Sequence, residues 1–188
     1  MQRDLSSDKF PIGSKLPEFE LPNVDGRNLG SRYLSEGKAA LVVFTCNHCP
    51  YVKGSEMILI EAARKFEKAG LRVVAISSND AAQYPEDSFE NMKSKAKELE
   101  LPYPYLYDQS QKVAKMFDAA CTPECYLFNA SQELVYHGAI TDRPKEPGSE
   151  RKDLLTPALE YALAGKEPVP CFIHPVGCSI KWRVGDVR

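Results

Sequence analysis

The sequence predicts an α/β protein: a central mixed β-sheet flanked by helices. Three observations predict it. Ala39–Thr45 (AALVVFT) and Leu71–Ser77 (LRVVAIS) are continuous β-branched apolar runs, the mark of strands buried on both faces. Between them lies a helical pattern, and parallel strands need such a crossover. Farther on, CTPECYLF and residues 133–137 are two strand-like runs joined by the short turn 129–132, which makes an antiparallel hairpin. At 188 residues, against roughly 100 to 200 per domain, the chain reads as one domain over 1–188. Residues 1–36 form an N-terminal hairpin extension of it and residues 166–188 a tail packed on it.

In chain order, LPEFELPNVDGRNL alternates apolar and polar positions around Asp25 and Gly26, which suits a hairpin turn. After the first core strand, Pro50 fits a first helical turn, Ile58, Ala62 and Phe66 share an apolar face, and Gly70 ends the helix. An insertion follows the second core strand, before the amphipathic core helix of residues 88–99. Asp108 caps the short helix QSQKVAKMF, which leads into CTPECYLF as a third core strand. After the polar, Pro-rich TDRPKEPGSE, residues 151–164 form the last helix, closed by Gly165. The tail has no clear periodicity, but Ile180 and Trp182 can anchor it to the body.

Composition excludes several function classes. The chain is 43% hydrophobic and 27% charged with a net charge of -2, and it lacks a long basic run, so nucleic acid is not expected as a partner. MQRDLSSDKF has no apolar signal region, and no stretch nears the roughly 20 apolar residues of a membrane span. The expected location is cytoplasmic, without membrane association. Six cysteines are few for a disulfide scaffold, and in a reducing compartment they should be thiols.

The chemistry concentrates in FTCNHCPYV, where Cys46 and Cys49 flank Asn47 and His48 between a buried strand and a Pro-started helix. A thiolate at a helix amino terminus is stabilised by unpaired N–H groups, which assigns attack to Cys46 and resolution to Cys49, one turn into the helix. A protonated His48 would favour the thiolate further and move the couple toward the oxidising end of the roughly -270 to -120 mV range. Zinc is the competing reading, with ligands from Cys46, Cys49, Cys171, Cys178 and His174. The last two cysteines lack knuckle spacing, so no metal and no other cofactor is expected. Haem attachment is excluded because the histidine lies inside the pair.

Strand, CNHC, proline and helix, followed by Thr122-Pro123 at a strand start, resemble the thioredoxin fold. LPEFELPNVDGR resembles the redoxin branch, which includes alkyl hydroperoxide reductases and TlpA-like oxidoreductases. FTCNHCPYVKGSE, SSNDAAQYPEDSFE, PYPYLYD, CTPECYLF and PVGCSIKW together resemble a family of thioredoxin-like proteins across nearly the whole chain. The resemblance implies a cis-Pro123 facing the cysteine pair and a Thr122 backbone that pairs with an extended substrate. Thioredoxin keeps a buried acid where this chain has Ala40, which leaves the proton acceptor unassigned. Asp80, at the end of the second strand, and Glu124 could relay protons. A turn or cap aspartate and an exposed strand-edge carboxylate are their commoner roles.

The remaining cysteines carry weaker signals. Cys125 reads as a small buried hydrophobe, Cys121 as a packing residue, and Cys171 and Cys178 as unpaired thiols. A Cys171 to Cys178 loop and an auxiliary Cys178 thiol near the pair remain open. His137 and His174 read as ordinary surface or strand residues. Three functions follow: a thiol-disulfide oxidoreductase acting on protein or small-molecule thiols and disulfides with an electron donor of unknown identity; a peroxiredoxin-like peroxidase; and a non-enzymatic redox-sensing adaptor. Peroxidases of the branch resemble PxxxTxxC, and Val43 stands in the threonine's place.

Overall fold

A computed structural model describes residues 9–145 and 150–184. The first eight residues of the amino-terminal extension, residues 146–149 of the Pro-rich loop and the last four residues of the tail lie outside the described residues.

The chain opens with the hairpin β1 (Glu20–Pro22) and β2 (Asn28–Gly30), registered Leu21 against Leu29. Gly26 turns it at φ 89, a conformation that costs a residue without Cβ nothing. Then come α1 (Ser31–Ser35), β3 (Ala39–Thr45), α2 (Pro50–Phe66), β4 (Leu71–Ser77), a single 3-10 turn at Pro85–Asp87, α3 (Phe89–Glu98) and β5 (Tyr105–Tyr107). The second half holds α4 (Lys112–Met116), β6 (Cys121–Thr122), β7 (Glu124–Phe128), β8 (Leu134–Gly138), α5 (Leu155–Leu163), β9 (Phe172–Ile173) and β10 (Cys178–Ser179).

Six strands form the main sheet in the order β5-β4-β3-β7-β8-β9. β3, β4 and β5 are parallel, β7 is antiparallel to both β3 and β8, and β9 is parallel to β8. Every residue of β3 is buried, as its sequence requires. Strand side chains alternate faces, so Ala39, Leu41 and Val43 join one core with Leu59, Ile60 and Leu159, while Ala40, Val42 and Phe44 join the other with Phe117, Tyr126 and Ile180. Phe117 is the hub of the second core, with rings from Phe10, Phe19, Phe44, Tyr126 and Phe128 around it at 5.1 to 6.2 Å.

Four details differ from the sequence reading. The N-cap of α4 is Gln111 at φ 59, although the Asp108 carboxylate still accepts the Ala114 N–H at 2.9 Å. CTPECYLF is not one strand: the cis Thr122-Pro123 bond divides it, β7 joining the main sheet and β6 pairing with β10. The last helix begins at Leu155, where Asp153 accepts the N–H groups of Leu155 and Thr156. Last, the tail holds two strands of two residues each, too short to leave a periodicity.

Candidate redox site

Cys46 follows β3 directly, and Cys49 is the N-cap of α2. This moves both cysteines three residues, about one helical turn, from their expected places, because Cys49 and not Cys46 is the N-cap. Both sulfur residues are fully buried, against Val52 and partly buried Tyr51 and Cys178. Thr122 faces them both: its hydroxyl lies 3.5 Å from Cys46 Sγ, and its carbonyl oxygen lies 3.3 Å from Cys49 Sγ.

The two sulfurs are neighbours whose titrations are linked, which leaves two ways to place the protons. With Cys46 donating to Cys49, the bond lifts Cys46 above the ordinary thiol range, helped by burial and the Asp87 charge, and draws Cys49 below it. That sets an anionic Cys49 sulfur against a carbonyl oxygen, which can only accept. With the proton on Cys49, its S–H serves the Thr122 carbonyl, and the Thr122 hydroxyl can donate to a Cys46 thiolate. Every polar atom then meets a complementary partner, so this is the arrangement we favour.

The loop between the cysteines is held by Asp87, a fully buried carboxylate that the sequence reading passed over for Asp80. One Asp87 oxygen accepts the backbone N–H groups of Asn47 at 2.7 Å and His48 at 3.2 Å. The other accepts His48 Nδ1 at 2.6 Å and the Asn79 amide at 2.7 Å. Asn47 donates its own amide to the Glu86 carbonyl and accepts from the Tyr105 hydroxyl. His48 stacks on Tyr84 at 5.5 Å. The only signal for Asp87 was its place one residue before the Ser88 cap of α3, where a capping role would normally absorb it.

Asp80 sits in its own turn, accepting from the Ala82 N–H and the Gln83 amide. Glu124 is not an exposed edge carboxylate. It is buried and accepts the N–H groups of Ala120 and Cys121, the Tyr126 hydroxyl and His137 Nε2 at 2.7 Å. Burial alone would raise its pKa, but the His137 hydrogen bond and then the Ala120 N–H outweigh burial and hold it below the usual glutamate range. Glu124 therefore fixes the approach to the Thr122-Pro123 bond, and its partner His137 is buried in the sheet.

Glu56 and Lys95, two more residues that the sequence reading missed, form a mostly buried ion pair at 2.6 Å, and Lys95 also donates to the Cys46 carbonyl at 3.2 Å. They line a small cavity with Thr45, Val52 and Pro123. Glu56 lies four residues after buried Val52 on α2, so a carboxylate on the helix's apolar stripe was its signal. Cys46, His48 and Asp87 also bring possible metal-ligand atoms within 4.8 Å of one another, but the Asp87 oxygens already serve four donors. Cys125 is buried in β7, while Cys171 and His174 flank β9, away from the pair's shell.

Tail residues complete the site. Cys178 and Ser179 pair with Thr122 and Cys121, so the backbone edge expected to hold an extended substrate carries the chain's own tail. A Cβ at Gly177 would collide with the Thr122 carbonyl oxygen, which explains the glycine. Among the described residues, no helix is long and apolar enough to cross a membrane.

A mixed sheet with this strand order and helices on both faces is the thioredoxin-like fold. Residues 12–137 match the AhpC/TSA family, and the chain belongs to that family, the redoxin branch of the thioredoxin-like proteins. A crystal structure of an uncharacterized conserved protein from Geobacillus kaustophilus is 41% identical with a TM-score of 0.86, covering 95% of this chain and 96% of that one. A hypothetical protein from Sinorhizobium meliloti 1021 is 35% identical with a TM-score of 0.87, covering 94% and 97%. A thiol:disulfide interchange protein of the thioredoxin family from Chlorobium tepidum TLS shares the fold, with a TM-score of 0.63 at 20% identity over 80% of this chain and 97% of that one. Among curated relatives, the chloroplastic peroxiredoxin Q of Sedum lineare is 33% identical over 158 residues, 78% of each chain. That of Gentiana triflora is 27% identical over 139 residues, 69% of this chain and 60% of the relative's length; against Triticum aestivum the span is 46% of the relative.

Proposed function

We propose that the chain is a thiol-disulfide oxidoreductase in which Cys46 attacks and Cys49 resolves a mixed disulfide. One observation carries this reading: the two sulfurs are buried side by side and both face Thr122, whose hydroxyl can donate to Cys46 while its carbonyl accepts from Cys49. Attack by the Cys46 thiolate on a substrate disulfide breaks that bond and releases one substrate thiolate. Cys49 then gives up its proton and attacks Cys46 Sγ, closing the Cys46–Cys49 disulfide and releasing the second thiolate. An external dithiol restores the pair. His48, fixed by Asp87 and Tyr84, tunes the couple, and a substrate that binds at Thr122 and Pro123 takes the place of the β10 pairing.

Glu56, paired with Lys95 in the small cavity lined by Val52 and Pro123, joins Asp80 and Glu124 as a candidate proton acceptor. Substrates are protein or small-molecule thiols and disulfides. Six cysteines without the pattern of a disulfide scaffold suit a reducing compartment such as the cytoplasm, although the named plant relatives are chloroplastic proteins. We read residues 1–188 as one domain.

A peroxidase is the second reading, favoured by the peroxiredoxin Q relatives and opposed by Val43, where peroxidases of the branch resemble a threonine. Insulin-reduction and peroxide-consumption assays on wild type, Cys46→Ser and Cys49→Ser decide between the readings. Loss of disulfide turnover in both variants is the expected result. A Cys49→Ser protein that still consumes one equivalent of peroxide at Cys46 would favour the peroxidase, and inactivity of wild type in both assays would favour the adaptor.

A further inference from the structure

We propose that Cys178 is a third redox thiol, placed by the tail so that Cys49 can exchange its disulfide partner between Cys46 and Cys178. The inference rests on the oxidoreductase reading above. Its basis is a second strand pairing at the site. β10 lies antiparallel to β6 with Cys178 opposite Thr122, the residue whose carbonyl oxygen accepts from Cys49. Gly177 allows this approach, and Ile180, buried in the core beyond it, holds the segment in register through its N–H to the Ala120 carbonyl at 3.0 Å. In that register Cys178 packs against the cysteine pair, opposite the residue that Cys49 faces.

Exposure supplies the reason for an exchange. Cys46 and Cys49 have no accessible surface, whereas Cys178 is only half-buried. In the oxidised pair, the Cys178 thiolate attacks Cys49 Sγ. A Cys49–Cys178 bond forms, the Cys46–Cys49 bond breaks, and its electron pair stays on Cys46, which takes up the proton that Cys178 gave up. The number of disulfides is unchanged, so no oxidant or reductant is consumed. Burial and the neighbouring Cys49 hold the Cys178 thiol up to about 11 in the reduced protein. Formation of the Cys46–Cys49 disulfide removes the charge on that cysteine pair, leaving Lys181 and Lys145 as the nearby charges that favour a Cys178 thiolate. The exchange carries the disulfide from a closed pair to a sulfur that an external thiol can reach.

The test uses the full chain with Cys46→Ser, oxidised with diamide, quenched in acid, alkylated and mapped by mass spectrometry. A Cys49–Cys178 linked peptide is expected as the main product, with a rate unchanged on about tenfold dilution, as an intramolecular reaction requires. Adding Gly177→Ala should slow its formation at least about tenfold by displacing the tail. Alkylated Cys178 in Cys46→Ser, with a Cys46–Cys49 disulfide still forming in wild type, overturns the inference and leaves the oxidoreductase reading intact. Absence of any disulfide at Cys49 in wild type sinks that reading instead. Should Cys46→Ser fail to fold, wild type is mapped across a dithiothreitol series. A Cys49–Cys178 fraction of at least about 1% is then expected, and a smaller one refutes the exchange.

Discussion

Removing the buried Asp87 carboxylate, which holds the cysteine loop, should strongly destabilise the protein. Its two oxygens accept four hydrogen bonds, from the Asn47 and His48 backbone, His48 Nδ1 and the Asn79 amide. Asp87→Ala orphans all four donors. A buried donor without a partner costs about 1 to 3 kcal/mol, and the Asn47 and His48 groups are partly wetted, so about 1 kcal/mol applies to each of those. Asn79 is buried and cannot turn to find another partner, because its Oδ1 already accepts the Lys181 N–H at 2.8 Å. Its share is nearer 2 kcal/mol, for a total of about 3 to 5 kcal/mol. Asp87→Asn keeps one acceptor oxygen but sets its amide nitrogen against the Asn79 amide, and should cost about 1.5 to 3 kcal/mol. Urea unfolding in reducing buffer measures both. With a slope of about 2 kcal/mol per molar, the alanine variant's midpoint should fall by roughly 1.5 to 2.5 M. A loss below about 1 kcal/mol for alanine, or an asparagine variant that matches wild type, refutes the reasoning.

Two further outcomes follow from the same geometry. In protein carrying isotopically labelled cysteines, the Cβ shifts followed from about pH 5 to 10 should show Cys46 losing its proton before Cys49. Cys49 titrating first would establish the opposite proton arrangement. Glu124 is held below the usual glutamate range in the folded state, so its stabilising contribution is present above the unfolded value of about 4.3 and is lost as pH falls through the lower folded value. The stability gap between wild type and Glu124→Gln, measured by urea unfolding, should therefore be wide at neutral pH and close below pH 4.3; a gap that does not change with pH contradicts it.

Elements fixed by local pattern were legible in the sequence. β3 and β4 match the apolar runs, because a strand buried on both faces needs no partner to identify it. The turn at Gly26 and the Pro50 start of α2 follow from backbone chemistry of single residues. The site's acids were harder, since burial of a carboxylate depends on donors brought from elsewhere in the fold. Glu124 illustrates this: it shares its strand face with Tyr126 and Phe128, an alternation that already pointed inward, but an acid on that face reads as exposed until His137 arrives from β8 to pair with it. Asp87 depends on a loop 39 and 40 residues away in sequence. The tail gave no pattern because β9 and β10 draw their pairing from strands laid down earlier.

Asp87 and Glu124, both buried, hold two different walls of the same site. Asp87 ties the CNHC loop to Asn79, and Asn79 in turn holds Lys181 of the tail; Glu124 ties down Ala120 and Cys121, on the strand to which the tail pairs. The tail is thus anchored to both walls, by Lys181 to the first and by the β10 pairing to the second. Cys46 and Cys49 have no accessible surface, so a reagent that reaches them directly needs a local opening of the site, and the doubly anchored tail makes that opening costly. Thiol exchange through Cys178 needs no such opening, because the tail's own sulfur already lies in the gap between the walls.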